Sequence, residues 1–356
     1  MLDNKRHHRL RAQLVPAYAG KGMDNQEQLV DEQIEKLIAL IERNYLSTQT
    51  TLRPCNLGRI MQYLTQDVIT AVGFGKATGY LEVDEDILGV LETCEALLAP
   101  GHIIMFLPLV RQLLESRLAR PFLPKPKPAD VHGIGGLLGI IKKHVDTRYG
   151  EEKVRRNDML QTLVESGLRC PQVEAESLVT LFGGTDSTST ALRMTVFFLS
   201  TNLSACRKLQ AEIDAAAKTA SRPVIADEHA KKLPYLQACI KEGMRMWPPS
   251  MALLPKISDH DQVICGIKVP AGTNVGWSGL TVMKDRRVFG ENADVFEPSR
   301  WIDAGPEKLK KMEGTYSLIF ATGTAWECLG KRLAYVELSK VLFEVRIPLC
   351  RLGCGD

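Results

Sequence analysis

Apolar residues recur at three- and four-residue spacing along most of the first two-thirds of the chain, as they do on helices that bury one face. Over residues 24–46 they are Leu29, Val30, Ile34, Leu37, Ile38 and Ile41, separated by acidic and basic side chains. The same spacing predicts helices over 57–72, 87–98, 131–149 and 157–166. Alternating prolines at 120–128 (RPFLPKPKP) cannot continue a helix and predict an extended surface connection. A long helix is predicted over 172–200, then others over 203–217 and 235–246, the last stopped by Trp247-Pro248-Pro249. From 251 to 282 the texture changes to short β-prone pieces, QVICGIKVP and TNVGWSGLTV, between Gly, Pro and Asp turns. Helical spacing returns over 329–345. The fold class is mainly α with a small β region.

The most apolar run, IIMFLPLV at 103–110, is far shorter than a bilayer span and is interrupted by Pro108. It reads as a core segment or a hydrophobic lip. The basic, polar start MLDNKRHHRLRAQ has none of the apolar stretch of a signal peptide. The expectation is a chain with no transmembrane anchor of its own. Its composition, 45% hydrophobic and 24% charged, is that of a globular protein. A net charge of +3 is too small to point to nucleic acid. Nine cysteines without a C-x-x-C pair argue against structural zinc and a disulfide framework, and predict reduced thiols in a cytosolic setting. Cys350 and Cys354, near the end, have no second pair to complete a site.

Four segments carry candidate chemistry. In Phe320-Ala-Thr-Gly323-Thr-Ala-Trp-Glu-Cys328-Leu-Gly330 a cysteine lies between two glycines and directly before an amphipathic helix. Amides at a helix start favour a thiolate, and glycines let backbone approach a bulky flat ligand. Alone, such a cysteine reads as a buried, inert thiol. Glu242 and Arg245 share a helix face and can pair; alone they are surface decoration. Phe296-Glu-Pro298-Ser-Arg300-Trp301 is a loop able to close a three-way pair with them. Gly183-Gly184-Thr185-Asp186-Ser187-Thr188 places two glycines inside the longest helix, each costing about 1 kcal/mol against alanine. That points either to a ligand lying against the backbone or to a helix kink.

In this order the four segments resemble the cytochrome P-450 family. The match comprises the oxygen-activating helix motif at Gly183–Thr188, E-x-x-R at Glu242–Arg245, F-x-P-x-R-W at Phe296–Trp301 and the haem-ligand loop at Phe320–Gly330. His7-His-Arg-Leu-Arg11 with Pro16-Ala-Tyr18 looks like the family's helix C, so the resemblance covers essentially the whole chain. Its texture is similar to fungal secondary-metabolism members of the pisatin-demethylase-like kind.

The resemblance implies a haem b cofactor whose iron takes Cys328 as axial thiolate, with Phe320, Gly323 and Gly330 forming the ligand loop. Asp186 and Ser187 would relay protons for oxygen activation. Ser187 stands where the family has threonine, and Thr188 is a substitute. Arg11 and His7 would meet the haem propionates. Glu242, Arg245 and Arg300 would be structural. The implied activity is insertion of one oxygen atom from O2 into an apolar small molecule, with electrons from a separate NADPH–cytochrome P-450 reductase. No G-x-G-x-x-G fingerprint follows a strand. Lys308, Lys310, Lys311, Lys331 and Arg332 would either dock an acidic reductase or form a solvated face. The implied location is cytoplasmic, or peripheral at the endoplasmic reticulum.

The sequence also departs from the family. The ligand loop has one residue more than usual and no arginine, whose place falls on Ala325 or Trp326 depending on the end counted from. Ala321 replaces a frequent glycine. Losing a charge-assisted propionate partner would weaken haem retention by roughly 1–3 kcal/mol. The resemblance starts at helix C, and 28 residues follow Cys328. It therefore implies one truncated domain over 1–356, lacking the N-terminal strands, helices A to B′ and the C-terminal β hairpin. The alternative to an enzyme is a non-catalytic haem-binding remnant or inactive pseudoenzyme.

Overall fold

The computed structural model describes residues 4–123, 126–150, 154–221, 223–251 and 256–345. Among them helices dominate, with two small antiparallel sheets of two strands each. The chain divides into two compact units. One comprises Met1–Arg193, Ser221–Asp227 and Leu329–Val345; the other contains Met194–Ala220 and Glu228–Cys328.

The first unit is built around the helix Leu57–Phe74, whose residues from Ile60 onward are all buried. It starts where the Asn56 side chain accepts from Arg59 N at 3.1 Å and ends at Gly75 in the left-handed conformation. Inside it, the buried Asp67 carboxylate accepts from the backbone of Gly79, Tyr80 and Leu81 at 2.7, 3.1 and 2.9 Å, tying down the short helix Tyr80–Val83. Helix Gln26–Leu40 packs beside it and continues as a π-helical turn, Ile41–Tyr45, so the segment predicted over 24–46 is helical but loses its α-helical period near the end. Helix Lys331–Glu344 packs on Gln26–Leu40. There the fully buried Lys340 reaches Glu27 at 2.7 Å and Asp31 at 2.5 Å. Three turn-spaced residues of that helix, Glu337, Lys340 and Glu344, are buried polar groups.

The second unit holds helices Leu203–Ala216 and Pro234–Met246 and both sheets. Lys256–Ile257 pairs with Asn274–Val275, and Gln262–Ile264 with Ile267–Val269 across the turn Cys265-Gly266. Both turn residues have positive φ (51° and 79°), the geometry of a two-residue hairpin. The β-prone reading of TNVGWSGLTV holds only as far as Val275. From Gly279 to Met283 the chain is helical, started by the Ser278 side chain accepting from Thr281 N.

Of the two readings of the run 103–110, the structure favours the hydrophobic lip over the core segment: the run spans the end of helix Val90–Phe106 and the start of helix Pro108–Glu115, and Ile103 and Leu109 are 61% and 81% exposed. Two further expectations need correction. The connection at 120–128 opens with a 3-10 turn, Arg120–Phe122. Cys206 is disulfide-bonded, against the expectation of an all-reduced set; Cys350 and Cys354 fall outside the described residues. Among the described helices none is long and apolar enough to cross a membrane.

Candidate functional site

The Cys328 loop lies in the second unit and follows the 3-10 turn Ser317–Phe320. Its shape is set by backbone closure: Cys328 N donates to Phe320 O at 2.8 Å, bringing the two ends of the loop together. Between them Ala321 and Gly323 take positive φ of 49° and 77°. Glycine accepts that conformation freely, whereas alanine is strained there by about 1–2 kcal/mol. The extra residue is absorbed in turns, with Thr324 Oγ1 donating to Ala321 O at 2.7 Å and Gly323 N to Glu327 Oε2 at 3.2 Å. Cys328 is exposed, Phe320 half-buried and Gly323 exposed. Gly330 caps the helix Lys331–Glu344.

The loop lacks an arginine, but the fold supplies a cation that sequence reading missed. Lys256, at the edge of the first sheet, places Nζ 3.7 Å from the centroid of the Trp326 ring. Such a contact contributes about 0.5–2 kcal/mol, and partial burial holds the ammonium pKa below its ordinary value. No local motif announced it, because Lys256 and Trp326 meet only through the fold.

In the same unit the structure brings Glu242, Arg245 and Arg300 together. Arg245 Nε donates to Glu242 Oε2 and Nη2 to Oε1, both at 2.8 Å. Arg300 Nε, Trp301 Nε1 and Glu297 N each reach the same carboxylate at 2.9 Å. The remaining guanidinium donors are spent on backbone: Arg245 on Met283 and Ala293, Arg300 on Phe289 and Asn292. Between the motif's acid and base, Gly243 lies so close to Thr195 that an added Cβ would stand 2.0 Å from Oγ1.

Asp186, Ser187 and Thr188 belong to the first unit, on helix Cys170–Ser200. That helix is continuous through the double glycine. The two glycines also differ. Gly184 faces Ile69, whose Cδ1 would be 2.7 Å from an added Cβ, so it allows one helix to approach another. Gly183 has nothing within 4 Å of that position and is exposed, leaving it as the open one. Ser187 Oγ is exposed and donates to Gly183 O at 2.7 Å; Asp186 is half-buried and Thr188 buried. His7 and Arg11 stand one turn apart on helix Asn4–Tyr18, both half-buried, on the face that also carries the buried Leu14. Arg332 donates to Ala19 O at 3.0 Å, and Lys311 Nζ to Arg287 O at 2.8 Å.

The donor set suits a haem thiolate at one described cysteine. Cys239 is fully buried, with its thiol pushed well up by burial, and Cys94 is pushed up to about 11. Cys55 also precedes a helix, but burial and then the Asp84 charge push its thiol up. Cys265 occupies a hairpin turn. Cys170 opens a helix, but burial and then the Glu174 charge push its thiol up. Among the described cysteines Cys328 alone combines an accessible thiol, a following helix of 14 residues and a loop opened by a glycine and bordered by an aromatic ring.

Comparison with known proteins gives the family. The family model described as Cytochrome P-450 matches residues 1–345, and the chain belongs to that family. The family comprises haem-thiolate proteins that hold iron through a cysteine, and the chain is accordingly an oxygen-incorporating oxidoreductase by class. It is 35% identical over 353 residues to the cytochrome P-450 monooxygenase ABA1 of Pyricularia oryzae, covering 97% of this chain and 68% of that one. The cytochrome P-450 monooxygenase abl1 of Leptosphaeria maculans is 35% identical over 349 residues (97% and 61%). For mpaDE of Penicillium brevicompactum the figures are 27% over 351 residues (95% and 40%).

Proposed function

We propose that the chain is a single cytochrome P-450 domain acting as a monooxygenase of fungal secondary metabolism, inserting one atom of O2 into an apolar small molecule. The observation that carries this is the Phe320–Cys328 loop, closed by backbone and presenting an exposed thiol before a helix. Cys328 would hold the haem iron, and the bound haem would supply oxygen activation. His7 and Arg11, and the Lys256 ammonium held against Trp326, would meet the propionates. The Asp186 carboxylate would hold a proton and the Ser187 hydroxyl would pass it on, with Thr188 as substitute. Glu242, Arg245 and Arg300 would keep the segment before the ligand loop in place. Electrons would come from a separate NADPH–cytochrome P-450 reductase. The exposed Ile103, Leu109, Leu113 and Phe122 favour a peripheral position at the endoplasmic reticulum membrane.

The test is the carbon monoxide difference spectrum of the reduced protein, with C328A beside it. The expected result is a Soret band at the thiolate-ligated position that C328A abolishes. Haem binding that survives C328A unchanged would show the ligand assignment to be wrong. A second reading, a haem-binding remnant, draws on the strained Ala321 and the arginine-free loop. A normal band without any reductase-supported turnover would favour it.

A further inference from the structure

At one corner of the first unit three cations have no counter-ion among the described residues. Lys76 follows the end of helix Leu57–Phe74, Lys143 stands on helix Gly133–Tyr149, and Arg156 precedes helix Met159–Glu165. All three are exposed and make no hydrogen bond or ion pair among the described residues. Their sequence neighbours do: Lys142 is paired with Asp146 at 3.0 Å and Arg155 with Glu165 at 2.7 Å. Packing draws the corner together. The ring of Phe74 stacks on His144, with centroids 4.8 Å apart and planes 8° from parallel. Gly75 then turns with φ of 75°, and a Cβ there would lie 3.2 Å from Asp158 Oδ2 and 3.7 Å from Arg156 Cδ. Arg156 therefore runs close along the turn that carries Lys76.

The buried carboxylate of this corner, Asp158, cannot neutralise them, because both its oxygens are taken. Oδ1 accepts from Gln161 N at 2.8 Å and Oδ2 from the buried Arg148. Arg148 Nε is itself closed to solvent and meets no partner among the described residues. Burial first, and then the charges of Arg156, Arg148, Lys143 and Lys76, hold the His144 pKa below its ordinary value. Cations from three stretches of chain, beside an imidazole that donates when protonated, fit a compact oxyanion of more than one charge. The guanidinium offers a planar fork and the ammonium groups offer point charges. A phosphate ester carries close to two negative charges near neutral pH, where a carboxylate carries one. We propose that this corner binds a phosphate-bearing anion through Lys76, Lys143, His144 and Arg156. The site lies outside the monooxygenase reading and does not rest on it.

The experiment follows the His144 ring protons by NMR in the haem-loaded full chain, with sodium phosphate or sodium sulfate replacing chloride at constant ionic strength. Sulfate stays a dianion throughout, so it separates titration of the ring from titration of the ligand. Either oxyanion should shift the ring saturably and raise its pKa, because a bound anion favours the charged imidazole. R156Q and K143Q should each weaken binding about tenfold, as loss of a charge-assisted hydrogen bond does. R155Q, beside them but already paired with Glu165, should leave it nearly unchanged. Glycerol phosphate and phosphatidylcholine vesicles containing phosphatidic acid distinguish the sources. A ring shift by the soluble ester without co-sedimentation marks a free phosphate, and co-sedimentation that R156Q abolishes marks a lipid headgroup. A shift that never saturates and that chloride reproduces would overturn the site and leave a solvated basic face. Binding seen only in E151Q/E152Q would overturn it too, since those acids, outside the described residues, would then be the counter-ions.

Discussion

Arg300 Nε lies 2.9 Å from Glu242 Oε1, a contact made across 58 residues of chain by two side chains almost closed to solvent. The same carboxylate already serves Arg245. One anion thus balances two buried guanidinium groups.

Removing the charge and keeping the shape, as in E242Q, leaves both cations uncompensated. The expected loss is about 3–5 kcal/mol, read from urea unfolding. A loss below about 1 kcal/mol, as at a surface pair, would mean that the cluster is hydrated in solution.

In the proposed site Lys256 would supply the charge that the ligand loop lacks. K256M should speed transfer of haem to an apoglobin acceptor, consistent with a loss of about 1–3 kcal/mol, and K256R should recover most of it. An unchanged transfer rate in K256M would remove Lys256 from the propionate set.

The two adjacent glycines should behave oppositely. G184A drives a methyl against Ile69 and should cost about 1–3 kcal/mol, partly recovered by I69V. G183A meets open space and should gain about 1 kcal/mol of helix stability. Thermal unfolding of the pair decides; equal shifts would refute the assignment of the close approach.

Glu337 is buried, and its Oε2 meets no hydrogen-bond partner among the described residues. Burial raises its pKa well above the ordinary 4.5. Below that value both folded and unfolded states are protonated and nothing is lost. As pH rises the unfolded chain ionises while the folded one holds its proton, so stability falls until the folded pKa is passed. E337Q should therefore match the parent near about pH 4 and exceed it increasingly toward about pH 8. Parallel melting curves across that range would contradict the raised pKa.

The helices were legible because burial of one face imposes a period, and every helix predicted from it is present. Exposure was only half legible. The run 103–110 left core and lip open, and its Ile103, Leu107 and Leu109 are exposed, since hydropathy records what a residue is and not what covers it. Thr281 and Val282 favour strands, but the Ser278 cap starts a helix through them. In the site, the motif residues could be named in advance because each pattern is local. Gly184 facing Ile69 and Lys256 facing Trp326 could not, because each needs a partner from a distant stretch.

Gly243 has a consequence for how this gene can change. Every single-base change that alters a glycine codon brings in a Cβ or a stop, and here a Cβ meets Thr195 at 2.0 Å. The position has no neutral neighbour within one mutational step. A copy released from selection would thus tend to lose its fold at Gly243 independently of any change to the thiol. Decay of the protein and decay of its chemistry can therefore begin at different codons.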